Sequence, residues 1–176
     1  MVNLINIGLR IKIYLDGANI EDVKSVGKED YISGFTSNPS LMSKSGITNY
    51  NDFIKKFIDL ENKKPISFEV VSDTLEEMER DARKINAFKG NIYIKIPITN
   101  SLGETTLPLI KKLLLERFKL NVTAILTETQ MIELINILEK DDDVIISYFA
   151  GRVADTGRDP VVVIKKINQI IKDKDL

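Results

Sequence analysis

Apolar residues along this chain alternate between short continuous runs and longer stretches in which they recur every three or four positions. The first pattern predicts strands and the second amphipathic helices. Ile11-Lys12-Ile13-Tyr14-Leu15-Asp16-Gly17 predicts a strand ending on an acid and a glycine, and Asn19 predicts a cap for a short helix from Ile20 to Val26. Tyr31 to Thr36 reads as a second strand, with Ser37-Asn38-Pro39-Ser40 as a loop or helix start. Asn49 or Asn51 can cap a helix that carries Phe53, Ile54, Phe57, Ile58 and Leu60 at helical spacing. Pro65 opens a third strand, Ile66 to Val71; Asp73 or Thr74 caps a long helix to about Phe88, and Gly90 ends it. A fourth strand, Ile92-Tyr93-Ile94-Lys95-Ile96-Pro97, follows. Gly103 to Glu116 predicts a helix, Lys119 to Thr123 a fifth strand, Glu128 to Glu139 a helix and Val144 to Ser147 a sixth strand. The last helix runs from about Pro160 to Ile171, with Pro160 in its first turn.

Strands alternating with helices imply a parallel sheet with right-handed crossovers, either doubly wound or closed as a (β/α) barrel. No strand is followed by Gly-x-Gly-x-x-Gly or by a P-loop. The polar residues favour the barrel of the TIM type. Asp16, Thr36 with Asn38, Glu69, Lys95, Asn121 with Thr123, and Ser147 each fall at or beside the C-terminal end of a predicted strand, with Arg152 just beyond the last. In a barrel these ends converge on one face, where such enzymes keep their chemistry. Lys95 is the sharpest of them. An ammonium flanked by isoleucines must be paired, neutral or facing a wet cavity, and a desolvated amine is the usual nucleophile towards carbonyl substrates. The alternative is a lysine whose stem packs while its head reaches water.

Composition removes several chemistries. The 176 residues suit a single domain, residues 1–176, with a sizeable core, and 43% hydrophobic with 29% charged residues is an ordinary globular mixture. A net charge of -1 gives no electrostatic reason to expect nucleic acid or an anionic membrane as partner, and no apolar run is long enough to span a bilayer. Neither cysteine nor histidine occurs. Disulfides and thiolate nucleophiles are excluded, a transition-metal site is not expected, and proton transfer falls to Asp, Glu, Lys, Tyr or water. The absence of cysteine and of a signal peptide fits a cytoplasmic protein.

Five motifs at the strand ends, Leu15-Asp16-Gly17-Ala18-Asn19, Thr36-Ser37-Asn38-Pro39-Ser40, Ile94-Lys95-Ile96-Pro97-Ile98-Thr99, Asn121-Val122-Thr123-Ala124-Ile125 and Ile146-Ser147-Tyr148-Phe149-Ala150-Gly151-Arg152-Val153, resemble the transaldolase family, which includes the small transaldolases and fructose 6-phosphate aldolase. The resemblance implies a (β/α)8 barrel of which six units are present, a metal-free aldol mechanism without cofactor, and sugar phosphates as substrates in carbohydrate metabolism. It implies that Lys95 forms a Schiff base with the ketose C2 carbonyl and that Asp16 takes the proton of the C4 hydroxyl. Glu69 would act through a water held with Thr123. Thr36, Asn38, Asn121 and Ser147 would hold or orient the dihydroxyacetone unit, and Arg152 the phosphate.

Simpler roles exist for most of these residues. Asp16 can be a turn former, Asn38 before Pro39 a loop pair, Ser147 and Thr123 donors to nearby backbone, and Arg152 a partner of Asp155 or Asp159. Glu69, set among apolar residues, is costly unless partnered. Glu69 and Phe149 resemble transaldolases, where the aldolases tend to have glutamine and tyrosine, which favours transfer over free aldol cleavage; Tyr148 replaces a proline of many members. The chain stops after the sixth helix, where family members continue with two more strands and helices. It is therefore expected to be C-terminally incomplete and poorly active, with a non-catalytic binding or structural fragment as the other reading; a homo-oligomer stays open.

Overall fold

The computed structural model describes residues 11–17, 20–26, 29–37, 42, 46, 49–60 and 63–176. Six strands form one sheet: β1 Ile13–Asp16, β2 Ile32–Thr36, β3 Ile66–Glu69, β4 Ile92–Pro97, β5 Leu120–Ile125 and β6 Val144–Tyr148. They lie in sequence order, and all five pairings are parallel. The helices between and after them are α1 Ile20–Val26, α2 Tyr50–Leu60, α3 Leu75–Asn86, α4 Leu107–Leu115, α5 Glu128–Ile135, α6 Ala150–Ala154 and α7 Pro160–Asp173. This is part of a TIM-type barrel. Its curvature is visible in bonds that skip a strand: Asn121 on β5 donates to Ser67 on β3 at 2.9 Å, across the concave face of β4. Among the described residues no helix is long and apolar enough to cross a membrane.

The run Ile92–Pro97 resolves into two faces, as strand alternation requires. Ile92, Ile94 and Ile96 are buried on the helix side, while Lys95 is on the concave side with Glu69 and Ser37. The same alternation puts Phe68 outward between Ser67 and Glu69. An aromatic cluster fills the outer layer there: Phe68 meets Phe53 and Phe57 edge-on at 6.0 and 5.8 Å, and Phe57 meets Phe35 at 5.2 Å. Phe53 and Phe57 lie one helical turn apart on α2, so one stripe of that helix seals β2 and β3. In β2 a glycine is required. A Cβ on Gly34 would lie 2.5 Å from the Tyr14 ring and 2.7 Å from the Pro65 carbonyl oxygen.

Local chemistry sets the helix ends. Thr74 caps α3 and Asp159 caps α7, each accepting from a first-turn amide, and Thr127 with Gln130 forms a capping box on α5. The Asn49 side chain accepts from the Asp52 amide at the start of α2. The cap expected at Asn19 falls outside the described residues. Several boundaries differ from the sequence pattern: β3 ends at Glu69 and not at Val71, and α5 ends at Ile135 and not at Glu139. The helix expected from Gly103 begins only at Leu107, because Asn100 accepts from the Leu102 and Glu104 amides and Thr99 bridges Thr105, closing a hairpin first. The short helix α6, straight after β6, had no signal in the periodicity because it has only five residues. Strand β6 is half-buried along its whole length, as an edge strand is.

Candidate active site

The register aligns the polar strand ends. Glu69 lies opposite Lys95, Lys95 opposite Asn121, and Asp16 opposite Thr36. Lys95 is only 9% exposed. Its ammonium is 3.2 Å from Glu69 Oε2 and donates to the Ser37 carbonyl at 3.4 Å. The outward, snorkelling lysine is therefore not what forms. Burial is the largest influence on Glu69 and raises its carboxyl above the ordinary range; the Lys95 charge works against that, and the Asp16 charge adds to it. A carboxyl with raised proton affinity beside a primary amine can exchange a proton with it at modest cost.

Asp16, exposed at the end of β1, accepts a 2.7 Å bond from the Thr36 hydroxyl. Asn121 is buried and held at both ends of its amide: it donates to Ser67 Oγ at 2.9 Å and accepts from Ser147 Oγ at 2.7 Å. Ser147 thus bonds to a side chain on the neighbouring strand β5 and not to nearby backbone. Thr123 Oγ1 is buried and has no hydrogen-bond partner among the described residues. An unpaired buried hydroxyl costs free energy, which makes its position informative. Arg152 is exposed on α6, one helix beyond β6. Neither alternative partner holds it among the described residues; Asp159 accepts from the Val161 amide. Asn38 lies outside the described residues.

The strand bearing Thr123 is locally strained. Ala124 has φ of 58°, and the pairing of β5 with β6 shifts register between Val122 and Ile125. A left-handed non-glycine costs roughly 1 kcal/mol, and such bulges re-aim neighbouring side chains near functional sites. Ala124→Gly is expected to stabilise the fold by about 0.5–1 kcal/mol, read as a rise in Tm; a fall in Tm would show that the conformation is not strained.

Several residues around the site carried no sequence signal of their own. Ser37 and Ser67 are buried and supply the acceptors for Lys95 and Asn121; Ser67 was findable as the residue two before Glu69, hence on its face. Thr106 Oγ1 donates to the Pro97 carbonyl at 2.6 Å, and Asp73 accepts from the amide and hydroxyl of Ser101. Together they brace the loop that follows Lys95. No cluster of three or more acidic side chains suited to a metal ion occurs among the described residues.

The family model for transaldolase/fructose-6-phosphate aldolase matches residues 13–176. A "probable transaldolase" of Clostridium kluyveri is 34% identical over 162 residues, which is 92% of this chain and 71% of that protein. A "probable transaldolase 1" of Listeria monocytogenes matches equally, at 34% over 162 residues with the same shares of each chain. A "probable transaldolase" of Thermoplasma volcanium is 33% identical over 165 residues, 93% of this chain and 70% of the relative. The family model's match runs over all six strands, and the chain belongs to the transaldolase/fructose-6-phosphate aldolase family.

Proposed function

We propose that this chain transfers a dihydroxyacetone unit between sugar phosphates through an imine on Lys95. One observation carries the reading: a primary amine, buried at a strand's C-terminal end, stands 3.2 Å from a carboxyl group that burial pushes up. Glu69 takes the ammonium proton, and the free amine adds to the ketose C2 carbonyl. The carbinolamine loses water to give the protonated imine. Asp16 then takes the proton of the C4 hydroxyl, C3–C4 breaks, and the electron pair moves into the imine, leaving an enamine on Lys95 and a free aldehyde. The enamine attacks the aldehyde of an acceptor, and hydrolysis returns the amine. The unpaired Thr123 hydroxyl suits the water that would relay protons to and from Glu69. Asn121, Ser147 and Thr36 line the same concave face for the hydroxyls of the bound unit, as would Asn38, and exposed Arg152 suits the phosphate.

Free aldol cleavage of fructose 6-phosphate is the neighbouring activity within this chemistry. Glu69 and Phe149 favour transfer. Release of glyceraldehyde 3-phosphate from fructose 6-phosphate, measured with and without an acceptor aldose phosphate, separates the two: transfer requires the acceptor. The imine itself is tested by borohydride reduction with fructose 6-phosphate and mass mapping of the adduct. A folded chain with no adduct on Lys95 would overturn the proposal. No cofactor enters the scheme, and a cytoplasmic setting is part of this reading.

The pH profile gives a separate check. Glu69 must be a carboxylate to accept the amine's proton, so activity falls as pH drops through its folded value. That acid limb is expected above the ordinary glutamate value of about 4.3, because burial raises it. Glu69→Gln is expected to lower the trapping rate about 100-fold and to remove the limb. A wild-type limb at the ordinary value, or one retained in the variant, would assign it elsewhere.

A further inference from the structure

The ladder between β2 and β3 ends at an awkward place. The Phe35 amide donates to the Pro65 carbonyl at 2.8 Å, and the Ser37 amide to the Ser67 carbonyl at 3.0 Å. Each step advances two residues on both strands, as parallel pairing demands. The next carbonyl in the series is that of Glu69, and it is satisfied by a side chain: the Tyr50 hydroxyl donates to it at 2.6 Å. Tyr50 is the first residue of α2, half-buried, its ring edge-on to Phe68 at 6.3 Å. The aromatic stripe that seals β3 from outside thus reaches over the strand end with its one polar tip.

We propose that Tyr50 is a positioning residue for the Schiff-base site: its hydroxyl holds the Glu69 carbonyl and so fixes the Glu69 backbone, and with it the Glu69 carboxyl, against Lys95. This rests on the reading of Lys95 and Glu69 as the reacting pair. Glu69 is the last residue of β3, and beyond it the Val71 and Ser72 amides and the Ser72 hydroxyl donate to the Asp81 carboxylate. On the β4 side the Val70 amide donates to the Lys95 carbonyl at 3.0 Å. Without Tyr50, the Glu69 carbonyl would lose its donor, and the strand end between the Val70 bond and the Asp81 tether could tilt, carrying the carboxyl with it. Burial, and then the nearby Glu69 charge, push the Tyr50 hydroxyl well above the usual tyrosine range, so it remains a donor at any pH at which the protein is handled.

Tyr50→Phe removes the hydroxyl and keeps the ring on Phe68. The test compares it with the full wild-type chain and with Ile110→Val, a truncation of a buried residue of α4 that has no assigned part in the site and controls for general loss of stability. Two readouts are taken: the borohydride trapping rate with fructose 6-phosphate, and the Glu69 carboxyl titration followed by carbon NMR. Tyr50→Phe is expected to slow trapping about tenfold and to move the Glu69 titration, with the KM for fructose 6-phosphate changed less than twofold; Ile110→Val is expected to change none of these. If the wild-type chain shows no trapping, the Schiff-base reading fails, while the titration still decides whether Tyr50 fixes Glu69. A Glu69 titration identical in Tyr50→Phe and wild type overturns the positioning role, as does a trapping loss matched by Ile110→Val.

Discussion

Lys95→Met abolishes adduct formation: no reduced imine is expected with fructose 6-phosphate, and turnover should fall by at least roughly a thousandfold, since no other group can replace a covalent nucleophile. Methionine keeps the length and apolar stem of lysine and removes the amine. The chain should still fold, because Ile94 and Ile96, which anchor β4, face the other way and are buried at 1% and 0% exposure. Residual trapping on some other lysine would end the proposal that Lys95 is the electrophile's partner. The variant also makes a prediction about stability. Glu69 has a folded proton affinity raised above its unfolded one, so the stability it contributes is fully present below the unfolded value and is lost as pH rises through the folded value. Lys95 opposes that rise in the wild type. Removing it raises the Glu69 value further, so in Lys95→Met the loss of stability, which begins at the same unfolded value, should be larger and continue to higher pH. Urea titrations between pH 4 and 8 measure this; curves for the two proteins that stay parallel throughout would show that the pair is not coupled.

Phe68→Ala should cost about 3–5 kcal/mol, the usual penalty for emptying a large aromatic site in a closed core. Phe68 is fully buried and touches Phe53, Phe57 and Tyr50 edge-on, so the cavity has no single neighbour able to collapse into it. For a chain of this size the Tm should fall by roughly 10–15 °C. The loss is not confined to stability. Phe68 precedes Glu69, and it supports the ring whose hydroxyl holds the Glu69 carbonyl. Trapping should therefore slow even at temperatures where the variant is folded. A Tm change under about 3 °C would mean that the aromatic cluster carries little of the core energy.

Much of this was legible before any coordinates. The βα alternation fixed the class, because runs of isoleucine, valine and phenylalanine between amphipathic stretches have few ways to bury themselves other than a covered parallel sheet. The strand Ile92–Pro97 was readable to the residue, since a proline and a glycine bracket it. The helix starts at Thr74, offered together with Asp73, and at Pro160 were readable because caps and first-turn prolines act locally. The hairpin from Ile98 to Thr106 was not. It depends on how one asparagine side chain is spent on two amides, a choice that the apolar periodicity does not record.

By itself the sequence determined which residues could do chemistry: without cysteine or histidine, a lysine among isoleucines and acids at strand ends were the available reagents. What only the tertiary structure decided was who pairs with whom. The Glu69–Lys95 contact, the Ser67–Asn121–Ser147 relay across the concave face, and the Tyr50 hydroxyl on the Glu69 carbonyl join residues 19 to 54 positions apart. Their geometry follows from strand register and sheet curvature. Both are properties of the whole folded sheet, because each strand's position is set by its neighbours and no local run of residues encodes it.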